Sequence, residues 1–544
     1  MAQKAQKNTE EASKKEQQLL AGIFESNYAT YNGKLHVEGT KLMNEHNEEI
    51  QLKGFVLSNI ATDINNFKKL EIIKSWGVNV VRFGLNTEEA KDPRKMESIY
   101  KVIEICKELD MYCDIVFWNS NQINEHTDVA KEYFTNIVSK YKSSQNLLYE
   151  ICNEPFVEWS KVATYANEVI PVIREISEDA VIICGTPNTC TNPDFVVKSQ
   201  LAYNNIMYSM HLYVPNTIGQ NRSVYYRNLT SAILKNIPVF ITEWSAGSED
   251  GTRLDINEAN NLVKLIDKYN LSWCYYNFSG YDIHSYSIIK EAFWFNGNIS
   301  DEKALTESGI YAKSLLSKTS KENTDLIEDN TLYNPAGYLE FYFWKENYRS
   351  KIVNVTFSND ITIPDNCIEV WDISNKSTGN IVAYITDYNG NYKLNIASKD
   401  TIYFPEDSSY FFWKFENLEN IKFNNIDTSN VKKMEAMFSR YTNLKELDLS
   451  KFNTINVTKM RSMFTYTTSI KQLDLSNFSM NKVTDIGYMF MNSGIQQLDL
   501  RNANFNASII DYVFEGSNPR VIVKNQKEKE FILSLKSSLN VDIY

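Results

Sequence analysis

The sequence has few glycines and prolines, 19 and 11 of 544 residues, and no apolar run long enough to cross a membrane. Residues 1–18 are hydrophilic and lack the apolar segment of a signal peptide. The seven cysteines, most of them within apolar runs, show neither a disulfide framework nor the pair spacing of a zinc site. This composition predicts a folded, soluble protein without a membrane span.

Positive charge is also scarce, because 56 Lys and Arg stand against 68 Asp and Glu and give a net charge of −12. This balance argues against a nucleic-acid partner and against attraction to anionic lipid. Aromatic residues, in contrast, are abundant at 13%, with 33 tyrosines. Exposed rings suit the flat faces of sugars, although a large core explains many of them equally well.

Short apolar segments alternate with amphipathic ones between about residues 35 and 316, which predicts alternating strands and helices. The strand candidates are Gln51–Leu57, Val78–Phe83, Met111–Trp118, Asn146–Cys152, Val181–Gly185, Ile206–Tyr213, Pro238–Glu243 and Leu271–Phe278, with helices between them such as Met96–Leu109, Val162–Ser177 and Ile256–Tyr269. Eight strands in this rhythm predict an α/β fold of the (β/α)8 TIM-barrel class. An open doubly wound sheet is the alternative, but no glycine-rich phosphate loop follows the first strand.

The C-terminal part contains an internal repeat of about 26 residues. The copies are Leu444-Lys-Glu-Leu447-Asp-Leu449, Ile470-Lys-Gln-Leu473-Asp-Leu475 and Ile495-Gln-Gln-Leu498-Asp-Leu500, with an earlier one at Leu418–Ile426, and the pairs Met437-Phe438, Met463-Phe464 and Met489-Phe490 keep the same spacing. Such self-similarity predicts a solenoid of leucine-rich type, in which Leu-x-Leu strands stack and Met-Phe pairs fill the core.

The chain is too long for one ordinary core, so several domains are expected. We predict a polar N-terminal segment at 1–22, the barrel at 23–317, a linker at 318–335, a β-rich lead-in region at 336–415 and the repeats at 416–544.

Two glutamates end predicted strands, the position from which barrel side chains converge on one face. Glu154 follows the fourth strand candidate and Glu243 ends the seventh. A pair of carboxylates can cleave a glycosidic bond, one as the acid that protonates the leaving oxygen and the other as the nucleophile.

Several motifs resemble those of glycoside hydrolase family 5 cellulases in order and approximate spacing. They are Asn153-Glu154-Pro155, His211-Leu212-Tyr213, Thr242-Glu243-Trp244 and Ser272-Trp273, together with Lys53-Gly54, Trp76-Gly77-Val78-Asn79 and Val81-Arg82 near the first two strands. The resemblance covers about residues 23–316. It implies a retaining β-glycosidase that needs no metal or organic cofactor.

The resemblance also implies roles for individual residues. Glu154 would be the acid/base, Glu243 the nucleophile, Asn153 a partner of the sugar 2-hydroxyl and Arg82 the group that steadies the nucleophile's charge, while His211 and Tyr213 would orient the two carboxylates and Trp244 would contact substrate. From the residues alone, a structural ion pair remains the alternative for Arg82 and a satisfied core histidine the alternative for His211, although we favour the functional roles.

The chain departs from the family pattern at two substrate-binding positions. Asn119 follows Trp118 where the family has histidine, and Tyr276 stands where the family has a tryptophan platform under the sugar. The family's lysine after the eighth strand falls on Gly280 or Tyr281, so that contact is lost.

The repeat region has a resemblance of its own. Phe423–Val431, Met437-Phe438 and the later Leu-Asp-Leu-Ser copies resemble BspA-type leucine-rich repeats of bacterial surface proteins, over about residues 351–514. This implies a protein or cell-surface ligand, with a purely structural spacer as the alternative. Both resemblances place the protein in the secreted or cell-surface class, so we expect an export signal to be missing from this sequence.

Taken together, the residues and resemblances lead us to expect an endo-β-1,4-glucanase-like enzyme that cleaves a β-linked polysaccharide. One alternative is a cell-surface adhesin whose barrel binds glycan with weak or no turnover. The other is a hydrolase of a different β-linked polymer, such as mannan or mixed-linkage glucan.

Overall fold

The computed structural model describes residues 33–57, 67–119, 123, 125–197, 199–214, 222–280, 284–294, 299–316, 330–334, 344–364 and 366–544. The chain divides into two compact units, residues 1–327 and 328–544. The N-terminal segment predicted at 1–22 and most of the linker predicted at 318–335 lie outside the described residues.

Eight parallel strands of the first unit close into a barrel, which confirms the predicted fold class. A hairpin of β1 (His36–Glu38) and β2 (Lys41–Met43) precedes the barrel strands β3 (Lys53–Val56), β4 (Val80–Asn86), β5 (Tyr112–Trp118), β6 (Leu147–Glu150), β7 (Val181–Cys184), β8 (Ile206–Tyr213), β9 (Val239–Ser245) and β10 (Trp273–Tyr275). Neighbours in sequence are neighbours in the barrel, and β10 pairs with β3 to close it. Every one of the eight strand candidates overlaps one of these strands, and β4 and β9 extend beyond their candidates to Asn86 and Ser245.

Helices connect the barrel strands. They are α1 (Phe67–Ser75), α2 (Pro93–Glu108), α3 (Thr127–Lys140), α4 (Trp159–Arg174), α5 (Arg222–Leu234), α6 (Ile256–Lys268), α7 (Glu291–Trp294) and α8 (Glu307–Leu316), with 3₁₀ turns at Glu89–Lys91, Pro193–Val196 and Glu302–Ala304. Capping residues fix where two of these helices begin. Asp92 caps α2, whose first residue is Pro93, and accepts a hydrogen bond from Arg94 N–H at 2.9 Å. Asp255 caps α6 and accepts one from Glu258 N–H at 3.0 Å. No helix in the described ranges is long and apolar enough to cross a membrane.

Apolar side chains of the first unit form two buried clusters. One cluster lies between the strands and the surrounding helices. A second, smaller cluster lies inside the barrel and includes Leu52, Val56, Leu148 and Val181, with Leu42 contributed by β2. This inner cluster is an apolar floor, and polar side chains occupy the barrel interior beside it, as the site below shows.

The second unit begins with a five-stranded sheet. Its strands, β11 (Ile352–Ser358), β12 (Cys367–Asp372), β13 (Val382–Tyr388), β14 (Asn391–Ala397) and β16 (Asn420–Phe423), have the order β12-β13-β14-β11-β16. The β13–β14 hairpin turns through Asn389 and Gly390, both at positive φ, as expected for an Asn-Gly turn. The remaining elements are α9 (Glu346–Arg349), β15 (Ile402–Tyr403), β17 (Ile426–Asp427), β18 (Gln472–Asp474), β19 (Gln497–Asp499), β20 (Arg520–Val523), α10 (Gln526–Leu535) and β21 (Asn540–Ile543).

The predicted border between the lead-in region and the repeats does not separate two cores. Strand β16 belongs to the first predicted repeat copy, yet it pairs with β11 of the lead-in sheet. One apolar cluster continues from Leu332 to Val541. The two predicted regions therefore share a sheet and a core.

The repeats stack in parallel along the chain. Strand β18 pairs with β19 so that Leu473 lies beside Leu498, and single parallel bridges link residues 407, 433, 459, 485 and 509 in turn. The phenylalanines of successive repeats stack with ring centroids 5.3–5.9 Å apart and planes within 12° of parallel, at 412, 438, 464, 490 and 514. The Met-Phe pairs thus fill the core, as the repeat period predicted.

This phenylalanine stack generates a stability prediction. Phe464 is fully buried between the rings of Phe438 and Phe490, so Phe464→Ala leaves a cavity in the middle of the column. The variant should lose about 3–5 kcal/mol of unfolding free energy in the second unit, measured by denaturant unfolding. The exposed Ile455, with 53% of its surface accessible, supplies the control, since Ile455→Ala should change the same value by less than about 0.5 kcal/mol. Equal losses in both variants would show that the stack does not support the unit.

Candidate active site

The two glutamates singled out in the sequence meet at one end of the barrel. Glu243 lies within β9, and Glu154 lies in the loop that follows β6. One carboxylate oxygen of each and a ring nitrogen of His211 all lie within 4.8 Å of one another. This is the C-terminal end of the strands, the face where barrels of this class carry their functional groups.

A bulge in β9 shapes the site. Ser209 pairs with Phe240 but His211 pairs with Glu243, and on the other side Trp273 pairs with Ile241 but Tyr275 with Trp244. Strand β9 therefore contains one residue more than both neighbours across this stretch. A bulge re-aims side chains, and here the consecutive residues Thr242 and Glu243 both bond to groups inside the barrel instead of pointing to opposite faces.

Arg82 is the cation of the site and has no exposed surface. Its Nη1 donates to Oε2 of Glu243 at 2.9 Å, and its Nη2 donates to Oδ1 of Asn153 at 2.6 Å. Its Nε donates to Oε2 of Glu150 at 2.6 Å. Burial lowers the pKa of Arg82, but the charges of Glu150 and Glu243 outweigh that effect and raise the pKa well above its usual value.

Tyr213 holds the other oxygen of Glu243. Its hydroxyl donates to Oε1, so Glu243 is bound at both oxygens by Tyr213 and Arg82. Burial, and then the charge of Glu243, raise the pKa of Tyr213 well above its usual value, which keeps the phenol protonated as a donor.

His211 pairs with Glu154 through Nδ1, which lies 2.7 Å from Oε1. Burial raises the pKa of Glu154, but the hydrogen bond and charge of His211 bring the pKa below its ordinary value. Burial lowers the pKa of His211, yet the charge of Glu243 and the bond to Glu154 raise the pKa above its ordinary value. Each partner thus favours the charged form of the other.

Three buried polar residues of the site were not identified from the sequence. Glu150 and Asp114 have no exposed surface and lie beside Arg82, and Thr242 donates to Oε1 of Glu150 at 3.2 Å. The signal that could have identified them is a charged or hydroxyl residue inside an otherwise apolar strand candidate. Their facing depends on strand register and on the bulge, which the sequence pattern does not contain.

The two positions at which the sequence departs from the family pattern, 119 and 276, lie in different environments. Asn119 is buried, and within the described part of the chain its amide bonds to the carbonyl of Ile123 at 3.3 Å rather than to either carboxylate. Tyr276 is half-buried, and its ring makes edge contacts with Tyr213 at 5.7 Å and Tyr286 at 5.1 Å. Tyr276 therefore borders the site, whereas Asn119 is held within its own loop.

Trp244 does not reach the cleft. It is fully buried in the apolar layer between strands and helices, where its ring packs against Trp273 at 5.8 Å and Tyr275 at 4.9 Å. The expected substrate contact of Trp244 is thereby corrected, because its ring supports β9 and β10 from the outside of the barrel.

A small cleft opens beside Glu154. It is lined by Glu154, His211 and Tyr213 and, farther out, by Thr189, Thr191, Tyr225 and Glu249. Within the described ranges, Glu154, His211 and Glu243 are also the group of residues close enough together to hold a metal ion. Two carboxylates suffice for glycoside cleavage, so the arrangement has a complete chemistry without an ion.

Comparison with known proteins adds to this geometry. Residues 43–282 match the family model described as Cellulase (glycosyl hydrolase family 5), and residues 406–519 match one described as Mycoplasma protein of unknown function, DUF285. The chain is 33% identical over 323 residues to endoglucanase A of Butyrivibrio fibrisolvens, a match that covers 55% of this chain and 72% of that protein. It is 31% identical over 260 residues to an endoglucanase of Clostridium saccharobutylicum, covering 45% of this chain and just over half, 56%, of that protein.

Solved structures are similar to the barrel as well. The catalytic domain of Thermobifida fusca endoglucanase Cel5A (E5) is 26% identical, with a TM-score of 0.49, over 53% of this chain and 98% of that chain.

The His211–Glu154 pair generates a prediction about pH. The raised pKa of His211 stabilises the fold below the unfolded value of about 6.5, and this is lost as pH rises through the folded pKa. The lowered pKa of Glu154 stabilises the fold above about 4.5, and this is lost as pH falls through the folded pKa. The Tm difference between wild type and His211→Gln should therefore be largest between about pH 4.5 and 6.5 and shrink on both sides.

Thermal unfolding of both proteins across pH 3–9 measures this difference. The exposed His46 gives a control, because His46→Gln should lower Tm little at any pH. A His211→Gln deficit that is constant across pH would mean that the pair does not carry opposite charges.

Proposed function

The chain belongs to glycosyl hydrolase family 5 and is a glycoside hydrolase, and on that premise we propose that it cleaves internal bonds of a β-1,4-glucan with retention of configuration. Glu243 acts as the nucleophile and Glu154 as the acid/base. The observation that carries this proposal is the approach of the two carboxylates, whose oxygens lie within 4.8 Å. Retaining enzymes need a separation of about 5–5.5 Å, whereas inverting enzymes need about 6.5–9.5 Å to admit a water.

Glu243 is prepared for attack on the anomeric carbon. Arg82 and Tyr213 each donate a hydrogen bond to one of its oxygens and hold the carboxylate in place. Because Asn153 gives its amide oxygen to Arg82, its NH₂ group is left to donate to a sugar hydroxyl. Hydrogen bonds to the 2-hydroxyl strengthen as the oxocarbenium-like transition state forms, which lowers the barrier.

The proton for the leaving group comes from the His211–Glu154 pair. With Nδ1 and Oε1 2.7 Å apart, one proton can pass between them, and Glu154 delivers it to the glycosidic oxygen. When Glu243 becomes a glycosyl ester it loses its negative charge, which is one of the causes of the raised pKa of His211. Glu154 then takes the proton of the incoming water in the second step.

The substrate assignment follows from the relatives and from the cleft. The Butyrivibrio and Clostridium proteins are endoglucanases by name, and Thr191 and Tyr225 line the cleft beside Glu154, where a leaving-group sugar would lie. Tyr276 presents a half-buried ring at the other side of Tyr213, where it can stack on a sugar face.

The second unit has a separate task in this proposal. We assign the stacked repeats to the BspA-type leucine-rich class, with a protein or cell-surface ligand that keeps the enzyme near its polysaccharide. Successive repeats pair in parallel at residues 407, 433, 459, 485 and 509, and stacks of this kind present extended binding surfaces. A secreted or surface-bound enzyme is consistent with a polymeric substrate too large to enter a cell.

Removal of the nucleophile tests the reaction and names the substrate class. Glu243→Ala should lower reducing-sugar release on the order of 10⁴-fold or more while glycan binding persists, because Glu243 acts mainly in the transition state. The panel comprises soluble β-glucans, mannan and xylan, and Glu132→Ala, an exposed glutamate of α3, is the matched control. Release from mannan or xylan alone would contradict the glucan assignment, and no release from any polymer would contradict hydrolysis.

Replacement of the acid/base gives a different signature. Glu154→Ala should retain its first step on substrates whose leaving group needs no proton, such as dinitrophenyl glycosides, and lose it on polysaccharide. Added azide should restore turnover by attacking the covalent intermediate, and the product should be the β-glycosyl azide, identified by NMR. An α-azide would mean inversion and would overturn the retaining mechanism.

A further inference from the structure

We propose that Glu150 is a positioning residue that sets both catalytic carboxylates through one buried relay. The buried relay consists of Glu154, His211, Thr242, Glu150, Arg82 and Glu243, in that order. The proposal rests on the proposed roles of Glu154 and Glu243 and adds Glu150 and Thr242, neither of which touches the substrate.

The relay is continuous in distance. His211 Nε2 lies 3.1 Å from Oγ1 of Thr242, and that hydroxyl lies 3.2 Å from Oε1 of Glu150. The other oxygen of Glu150 accepts from Nε of Arg82 at 2.6 Å. The two ends are the bonds already described, from His211 to Glu154 and from Arg82 to Glu243. A carboxylate placed in this way fixes the histidine of one catalytic group and the guanidinium of the other.

The number of protons and lone pairs on Thr242 decides which atom donates in each hydrogen bond of the relay. A threonine hydroxyl has one proton and two lone pairs, and Thr242 donates its proton to Oε1 of Glu150. Ser209 Oγ, 2.5 Å from Thr242 Oγ1, and His211 Nε2 must then both donate to Thr242. Neutral His211 consequently carries its proton on Nε2, which leaves Nδ1 as the nitrogen that exchanges a proton with Glu154.

Asp114 is a second buried carboxyl group beside Arg82. It is fully buried, Nε of Arg82 lies 3.9 Å from its Oδ2, and among the described residues no N–H or O–H group donates a hydrogen bond to either oxygen. An ionised carboxylate without donors is very costly inside a protein, which favours the neutral form of Asp114. Burial, and then the charge of Glu150, accordingly raise the pKa of Asp114 well above its usual range.

The groups that influence the titration of this cluster come from several strands and loops. They are Arg82 on β4, Asp114 on β5, Glu150 on β6, Glu154 after it, Cys190 after β7, His211 and Tyr213 on β8, Glu243 on β9, and Cys274 and Tyr276 at β10. Burial raises the pKa of both thiols well above its usual value, so they remain neutral, and the cluster changes charge chiefly through the His211–Glu154 pair.

Replacement of the hydroxyl at the middle of the relay tests the proposal. Thr242→Val keeps the shape but removes the acceptor of His211 Nε2, so kcat on a soluble β-glucan should fall on the order of 100-fold with KM little changed. The protonated imidazole also loses a bond, so the alkaline limb of the kcat profile should move to lower pH. Thr242→Ser should restore most of both properties, and Glu150→Gln should resemble Thr242→Val.

A control separates positioning from stability. Val181→Thr buries a new hydroxyl in the apolar floor, away from the relay, and should lower Tm while leaving the pH profile unchanged. The same limb shift in Val181→Thr, or a wild-type kcat and pH profile in Thr242→Val, would overturn the relay. If Thr242→Val does not fold, Thr242→Ala takes its place in the same comparison.

A measurement without turnover distinguishes this proposal from the proposed function. The chain has five histidines, so nitrogen NMR of ¹⁵N-histidine-labelled full-length protein, with His211→Gln for assignment, can report the tautomer of His211. Neutral His211 should carry its proton on Nε2 in the wild type and lose this preference in Thr242→Val. The Nδ1-protonated tautomer in the wild type would overturn the relay even in an active enzyme. Inactivity with the expected tautomer would instead count against the proposed function.

Discussion

The guanidinium of Arg82, buried without any exposed surface, is the interaction on which the barrel site depends. A charge removed from water is tolerated only where partners surround it, and breaking such a set leaves the remaining charges unpaired at a cost of several kcal/mol. The partners come from strands β5, β6 and β9 and from the loop after β6, so they meet only when the barrel is closed. The charge thus ties the chemistry of the site to the completion of the fold.

The apolar floor of the barrel strengthens these interactions. Side chains such as Leu148 and Val181 exclude water from below, and in this low-dielectric setting each hydrogen bond to a charged group is worth more than at a surface. The same setting makes an extra negative charge expensive, so burial raises the pKa of Asp114 well above its usual range, while Glu150 and Glu243 share Arg82. Preorganised donors of this kind need no rearrangement when charge moves during a reaction.

Much of the barrel could be predicted because its information is local. Alternating apolar segments identified all eight strands, and carboxylates at strand ends identified Glu154 and Glu243. The family resemblance added His211, which the structure brings together with both glutamates. The period of the repeats likewise predicted that the Met-Phe pairs at 437–438, 463–464 and 489–490 fill the core. Glu150 and Thr242 escaped notice because their facing depends on register and on the bulge in β9, which arise only when neighbouring strands pair. Strand alternation did contain a signal for Trp244, since a residue next to the inward-facing Glu243 points outward in a regular strand.

The departures at positions 119 and 276 bear on substrate contact more than on the charges of the site. Neither side chain belongs to the set that binds the two carboxylates: Arg82 and Tyr213 hold Glu243, and His211 holds Glu154. Asn119 is bonded within its own loop and is not one of the described residues that line the cleft. Tyr276 is different, because its ring makes an edge contact with Tyr213, the donor to Glu243. A sugar that stacks on Tyr276 would therefore contact the partner of Tyr213, the residue that orients the proposed nucleophile. Binding of the sugar is thereby coupled to the position of the attacking oxygen of Glu243.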